Sequence, residues 1–479
     1  MIELKLKIKQ LGKDSIVYGL GYFFSKIINL ALLPIYTRVF LPQEYGDIEL
    51  IYMIAGFLLI VMNLGTDSAQ SYYFHKIAND GLDAQKALIT SIFQWRLVWG
   101  IITVIFMCLI LFYPSFQHFH LPLNFKHCIV AFLGYLFSQI ISQGSDIFRL
   151  LYKPWKYILI NLLFSVGSSL FALVFILVFK MGLLGFWMGS LVGSIIFAIV
   201  TCVLIHPYLD FGKWHFEWWK NIIKFGAPLL QVGLVMYLLN SIDRWFLSYF
   251  HGKESLGLYS VASRFVMIIS FLVTAFRQAW WPIAVEALHK DFGKDLFRLI
   301  ARLYLGIVSI GILFLTAFSA FLVTHMTGNL YHSSYIIIGI LSWHSAFYGF
   351  YLISNAGIWK SEKTWISSIT VLIAAISNII LAYLLIPRYS LMGASISISL
   401  SFLIWNALEI YFSEKLWPIH YPFKIFFIQL FLGIVGCILI SLMLGHQYPF
   451  WKVMILTFIF GSGVLYFTLK GVDRLNINE

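Results

Sequence analysis

Three cations interrupt stretches of this chain that are otherwise apolar: Lys26, Arg96 and Arg264. A lysine or arginine that faces hydrocarbon near a bilayer midplane costs roughly 3 kcal/mol or more, so each of them implies a partner. Lys26 shares a helical face with Tyr18, Tyr22 and Asn29, which fall at steps of three or four residues. At about 1.5 Å per residue it is about 16 Å from Ser15, too deep to extend to an interface. Arg96 is shallower, about 12 Å from Leu88, within partial reach of the interface. Arg264 accompanies Ser260, Ser263, Met267, Ser270, Thr274 and Arg277, a stripe with alternating steps of three and four. Two further stripes are Tyr52, Gly56, Asn63, Asp67 and Gln70, and Gln139, Gln143 and Asp146 followed by Arg149. Cations in a partly dry cavity select an anion, and hydroxyl, amide and aromatic faces suit sugars. The chemistry expected is recognition of an anionic, glycan-bearing molecule. Carboxylates are scarce at depth. Asp67 and Asp146 lie near span ends and Glu409 stands alone in its span, which makes these three the candidates for coupling to H⁺ or Na⁺.

The elements that must position these residues are membrane spans. The chain has 479 residues, 60% of them hydrophobic and 11% charged, with a mean hydropathy of +0.86. An ordinary soluble domain is about one quarter charged. Apolar runs repeatedly reach about 20 residues, enough to cross a hydrocarbon core of about 30 Å as a helix, and the short alternating segments of a barrel are absent. The reading is an all-α polytopic membrane protein with about 14 transmembrane helices, near 15–37, 48–66, 88–112, 128–149, 157–179, 182–205, 222–243, 256–277, 299–323, 334–356, 364–386, 391–412, 422–444 and 452–470. Lys5, Lys7, Lys9 and Lys13 precede the first span without a small-residue cleavage site, which predicts a retained first helix.

With the amino terminus inside, the inward segments collect most of the lysines and arginines. The outward ones hold Arg38, Lys126, Lys180, Arg244, Lys253, Arg388 and Lys452. This asymmetry predicts both termini in the cytoplasm. It also accounts for the net charge of +12 through topology and attraction to membrane lipids, with no role for nucleic acid. The four cysteines are far apart and read as packing residues, with no metal or cofactor implied. The tryptophan-rich segment Trp214–Trp219 is expected to be an interfacial helix.

The second half repeats the first. Ala69-Gln70-Ser71-Tyr72-Tyr73 falls on Arg277-Gln278-Ala279-Trp280-Trp281, Asp83 and Lys86 fall on Asp291 and Lys294, and Gly185 falls on Gly393, all at one shift of 208. Six spans per copy make the repeat parallel. The expected organisation is an N-lobe over 1–205, an interfacial connection over 206–221, a C-lobe over 222–412, and two further spans with a tail over 413–479. Those last two spans read as featureless and lipid-facing. Gly226, Pro228 and Gly233 are expected to let the seventh span bend.

Phe225-Gly226-Ala227-Pro228, Asp243-Arg244 and Leu256-Gly257-Leu258-Tyr259 form one motif set, and Leu33-Pro34-Ile35-Tyr36-Thr37-Arg38 with Tyr45-Gly46 forms another. In these the chain resembles the polysaccharide-biosynthesis branch of the MOP exporter superfamily, and within it the Wzx-type flippases. The resemblance implies a V-shaped fold of two lobes, like that of MATE and MurJ proteins. It implies export of undecaprenyl-diphosphate-linked oligosaccharide units across the bacterial inner membrane, with a polysaccharide polymerase and a chain-length regulator as candidate partners. It also implies cavity cations in spans one and eight, where Lys26 and Arg264 stand. MurJ proteins carry a basic residue in span two as well, and span two here has none. Two other classes compete: a drug/cation antiporter, which needs a deep carboxylate in span one or seven, and a glycan polymerase, which needs a large outer loop. The chain offers neither, nor any nucleophile, metal or phosphate-loop motif, so transport without covalent chemistry is expected.

Overall fold

The computed structural model describes residues 27–28, 30–77, 81–112, 123–210 and 214–470. Lys26, Tyr22 and Asn29, three of the expected cavity residues, lie outside the described residues. Among the described residues all regular structure is helical. In chain order the helices are α1 (Leu30–Val39), α2 (Pro42–Asn63), α3 (Thr66–Lys76), α4 (Leu82–Phe112), α5 (Phe125–Leu150), α6 (Pro154–Leu173), α7 (Gly182–Ile205), α8 (Glu217–Ala287), α9 (Gly293–Met326), α10 (Tyr335–Ser354), α11 (Ala356–Lys360), α12 (Trp365–Leu416), α13 (Phe423–Gly445) and α14 (Phe450–Leu469).

Among the described residues, eleven helices are long and apolar enough to cross a membrane, α2 with α3 counting as one of them. Two of the eleven are really pairs. In α8 the backbone leaves helical angles at Gly252 (φ 78°, ψ −178°), and in α12 it does so at Ser390 (φ 48°, ψ −122°). Each of these residues closes a tight hairpin, so eleven becomes thirteen, and α1 supplies the end of the first predicted span. The chain passes through Pro228 in helical conformation; the bend in α8 falls at Gly252, where a glycine takes a left-handed φ without strain.

Two compact units are defined by their own contacts. The first comprises residues up to 32 together with Asp47–Tyr237. Leu88, Ile92, Ile147, Phe148, Ile205 and Ile222 form its apolar core. Small residues allow backbones to close up, as expected for membrane helices: a Cβ on Gly193 would lie 2.6 Å from the Ser168 Cα, and one on Gly189 would collide with Ala172. The second unit comprises Leu33–Gly46 and Leu238–Glu479. Here Tyr331 Oη donates to the Phe40 carbonyl at 2.8 Å and the Gly328 N–H donates to Thr37 Oγ1 at 3.2 Å. A Cβ on Gly46 would overlap the Lys253 carbonyl, and one on Gly257 the Pro42 carbonyl. The Thr37, Tyr45-Gly46 and Leu256-Gly257 motif residues are thus packing contacts at one end of this unit.

Two expectations are corrected. The segment 214–216 is not helical. It is a short non-helical lead-in to α8, which takes up 217–219 as its first turn, and it is held on α4: Ser91 Oγ donates to the His215 carbonyl at 2.8 Å, the His215 N–H donates to Gln94 Oε1 at 3.2 Å, and Trp95 meets Trp219 edge-on at 5.2 Å. Side chains of α4 satisfy its backbone, so no helix is needed. The last two helices are likewise more than lipid-facing additions. Arg302 on α9 donates through Nε and Nη2 to the Phe467 carbonyl at 3.0 and 2.7 Å and also to the Lys470 carbonyl. Gln429 on α13 donates to the Arg302 carbonyl at 3.2 Å and to Thr468 Oγ1 at 2.9 Å. These bonds cap the carbonyl end of α14, where a cation is favoured.

The turns carry the mark of duplication. Left-handed backbone occurs at Tyr152 and Glu362, and again at Lys180 and Ser390; one offset of 210 residues relates both pairs. The first two turns share their hydrogen bonding as well. The Lys153 N–H donates to the Phe148 carbonyl at 2.9 Å, and the Lys363 N–H to the Ile358 carbonyl at 3.1 Å. This is the six-to-one closure of a helix end, where glycine is the usual occupant of the left-handed position.

Candidate functional site

A break in the second span builds the polar centre of the first unit. Helix α2 stops at Asn63, Leu64 (φ 46°) and Gly65 (φ 68°) are both left-handed, and α3 restarts at Thr66. A left-handed leucine costs roughly 1–2 kcal/mol, and something must hold it there. Gly226 does so: a Cβ at that position would strike the Leu64 carbonyl, and one on Gly65 would lie 2.7 Å from the Gly226 carbonyl. The break turns Asn63 and Thr66 toward one point. Thr66 Oγ1 donates to Asn63 Oδ1 at 2.8 Å, and both accept from Arg96 on α4, Thr66 from Nε at 2.8 Å and Asn63 from Nη2 at 3.4 Å.

Arg96 meets its counter-charge from α5. Its Nη2 lies 3.3 Å from Asp146 Oδ2, with the arginine side chain only 3% exposed. The other carboxylate oxygen is 3.1 Å from Arg149 Nη2, whose side chain is 48% exposed. One carboxylate therefore serves two guanidinium groups, one dry and one wet, and Arg96 Nη1 is buried with no hydrogen-bond partner. A neighbouring amide pair, Gln143 Nε2 to Gln70 Oε1 at 2.8 Å, ties α5 to α3.

This network borders a cavity of about 640 Å³ within the first unit. Its polar lining is Asn63, Asp67, Ser68, Ser138, Gln139, Ser142, Ser145, Asp146 and Asn161; Leu59, Ile60, Leu229 and Leu230 make an apolar wall. Asn161 donates to Ser145 Oγ at 2.9 Å, and Asp67 Oδ1 accepts from the Ser68 N–H at 2.8 Å. Such a wall can hydrate and hydrogen-bond a polyhydroxylated ligand with one positive network beneath it.

The structure thus joins Asn63, Arg96 and Asp146 by direct bonds, sets Asp67 and Gln139 on the same cavity, and places Gln143 one turn behind. The remaining expected residues belong to the second unit. Arg264 is half-buried in the second arm of α8. Ser263 Oγ and Thr274 Oγ1 donate back to carbonyls of their own helix at 2.9 and 2.8 Å, and Ser270 Oγ meets Ser345 Oγ at 3.0 Å. Glu409 is buried and accepts from Ser367 Oγ at 3.1 Å, from Trp405 Nε1 at 3.3 Å and from Thr370 Oγ1. Asp243 is also fully buried and accepts from Tyr259 Oη. Among the described residues no group of His, Cys, Asp and Glu could hold a metal ion. Thr66 and the pairing role of Arg149 escaped the sequence reading; the opposed charges of Arg96 and Asp146 were the one available signal.

The architecture has solved counterparts. A structure of the lipid II flippase MurJ in an inward closed conformation superposes with a TM-score of 0.68 at 18% identity, covering 96% of this chain and 100% of that one. An outward-facing multidrug resistance MATE transporter of the MOP superfamily gives 0.59 at 15% identity, covering 85% and 95%. The fold is therefore the MurJ/MATE fold, that of a multi-pass membrane protein. The profile of the polysaccharide biosynthesis protein family matches residues 11–288, and the chain belongs to that family. Relatives include a protein of the lsg locus of Haemophilus influenzae, 24% identical over 293 residues, which span 58% of this chain and 66% of that protein. An uncharacterised membrane protein of Methanocaldococcus jannaschii is 24% identical over 89% of both chains. The capsular polysaccharide biosynthesis protein CapF of Staphylococcus aureus is 25% identical over 47% of this chain and 60% of its own length.

Proposed function

We propose that this chain is a flippase that carries undecaprenyl-diphosphate-linked oligosaccharide units from the cytoplasmic to the outer leaflet of the bacterial inner membrane. In this reading both termini are cytoplasmic. The observation that carries it is the cavity of about 640 Å³, hydroxyl- and amide-lined and backed by the Arg96–Asp146–Arg149 network. Its volume is in the usual range for ligand pockets, about 300–1,000 Å³. Beside an apolar wall, the lining offers hydroxyls and amides that pair with sugar hydroxyls. The need for such a protein is physical: each unpaired hydroxyl drawn into hydrocarbon costs on the order of 4–8 kcal/mol. The family match and the MurJ-like fold support the same cargo class. To Lys26 and to Arg264, each in its own unit, we assign attraction of the cargo's negative charge, and Arg96 organises the cavity wall. A potential of about 100 mV, inside negative, favours outward movement of two negative charges by on the order of 4–5 kcal/mol, so the potential biases the direction. Deletion of the gene tests the proposal: a lipid-linked glycan should accumulate on the cytoplasmic leaflet. Unchanged surface polysaccharide together with altered dye resistance would instead favour a MATE-like antiporter.

A further inference from the structure

The turn between α5 and α6 carries a polar surface of which the transport reading uses Arg149 alone, through its bond to Asp146. Arg149, Lys153 and Lys156 fall within eight residues, and no aspartate or glutamate occurs from Ile147 through Leu209. Asp146, which directly precedes this stretch in the chain, is already shared between Arg96 and Arg149. We propose that this turn binds the phosphate headgroup of an anionic phospholipid, in the leaflet that the charge asymmetry assigns to the cytoplasm.

The turn is built to present these groups at the edge of a membrane. Tyr152 occupies the left-handed position that closes the end of α5, with φ 52°. Its ring is 59% exposed, and that of Trp155 is 73% exposed. Aromatic side chains standing out at the junction of two membrane spans belong at headgroup depth. The cations beside them are placed by other aromatics. Lys153 Nζ lies 2.5 Å from Tyr208 Oη and 5.0 Å from that ring's centroid, which brings in the segment after α7. Lys156 Nζ lies 5.6 Å from the centroid of Phe148. Both ammonium groups are positioned without a carboxylate, and the exposed guanidinium of Arg149 completes a three-cation arc. Arg149 also links this arc to the cavity, because it holds one oxygen of Asp146.

The second unit supplies a control. Its equivalent turn has the same backbone, with Glu362 left-handed at φ 58°, Lys363 following, and Trp365 61% exposed. Charge placed only to orient the chain would serve equally well in both turns. Yet here a carboxylate, Glu362, replaces Tyr152, and the arc is interrupted. The anion site is therefore expected in the first unit alone.

Native mass spectrometry of the full chain, given phosphatidylglycerol and phosphatidylcholine in equal amounts at low salt, tests this. The wild type should retain phosphatidylglycerol preferentially. Lys153→Gln with Lys156→Gln should cut that preference on the order of tenfold, since each surface cation contributes several-fold. Lys153→Arg with Lys156→Arg should keep it, which separates charge from packing, and Lys360→Gln with Lys363→Gln should also keep it. An unchanged preference in the Lys153/Lys156 glutamine variant overturns the proposal. So does an equal loss in the Lys360/Lys363 variant, or displacement of the lipid by millimolar inorganic phosphate, which would assign the arc to a free anion. None of these readouts depends on whether the chain flips a glycan.

Discussion

Removing the carboxylate of Asp146 should cost the first unit more than removing the guanidinium it faces. In Asp146→Asn, Arg149 turns to water, because its side chain is already 48% exposed. Arg96 cannot do so at 3% exposed. It retains Thr66 at 2.8 Å and Asn63 at 3.4 Å, both neutral, while its Nη1 already lacks a partner. Breaking a buried pair from one side costs about 3–5 kcal/mol because a charge is left uncompensated, and this substitution falls in that range. Arg96→Gln is milder, about 1–3 kcal/mol, because Asp146 keeps Arg149 at 3.1 Å. Arg96→Met combined with Asp146→Leu should recover most of the loss, giving a coupling of about 2 kcal/mol or more in the double-mutant cycle closed by Arg96→Met and Asp146→Leu as single variants. Reversible unfolding in mixed detergent and dodecyl sulfate micelles, followed by tryptophan fluorescence, gives the midpoints. Two results would refute the reasoning: an Asp146→Asn midpoint equal to wild type, or a double variant no more stable than Asp146→Asn.

Three further outcomes are expected. Lys26→Ala and Arg264→Ala should each abolish flipping of a lipid-linked glycan in proteoliposomes while the protein stays folded and inserted; full activity in both would return these cations to structure. Gly226→Val adds atoms where a Cβ already overlaps the Leu64 carbonyl, so it should destabilise by about 1–3 kcal/mol or more, read as a lower unfolding midpoint and a reduced folded yield. Arg302→Met leaves the Phe467 and Lys470 carbonyls uncapped. At about 1.5–3 kcal/mol for a hydrogen bond to a charged group, α14 should loosen first, and trypsin should cut at Lys470 faster than in wild type.

Helix class and membrane-spanning character were legible because they depend on the length and composition of apolar runs, which the bilayer thickness dictates, and the family was legible in motif residues such as Phe225-Gly226-Ala227-Pro228 and Asp243-Arg244. The site was legible only in part. A continuous helix carries Asn63, Asp67 and Gln70 on one face, and the spacing invited that reading. The chain breaks at Leu64–Gly65 instead, and nothing about a leucine announces a left-handed φ; the reason lies more than 160 residues away, at Gly226. The break sends Asn63 to Arg96 and leaves Gln70 to Gln143. Arg96 and Asp146 are 50 residues apart, so their pairing needs the tertiary arrangement of α4 and α5. Pro228 stands in continuous helix, as a proline in a membrane helix can when its neighbours accommodate it, and the non-helical angle within α8 is at Gly252, in the turn that follows that span. The final two spans looked featureless because their anchor, Arg302, lies on α9.

The same geometry ranks the three carboxylates that could couple transport to an ion. A coupling group must gain and lose a proton or a cation without leaving its neighbours uncompensated. Asp146 fails this test, because neutralising it strands a dry guanidinium. Asp67 lines the cavity with one oxygen on a backbone N–H, which leaves it free to exchange but shallow. Glu409 is buried among neutral donors, two hydroxyls and an indole. Hydroxyls can either donate or accept, so Ser367 and Thr370 can turn to accommodate a protonated carboxyl, and no fixed charge is abandoned when it forms. Glu409→Gln should therefore leave the fold intact and remove the response of flipping to an imposed proton or sodium gradient, whereas Asp67→Asn should leave that response largely in place. A gradient response of Glu409→Gln proteoliposomes equal to that of wild type would transfer the role to Asp67.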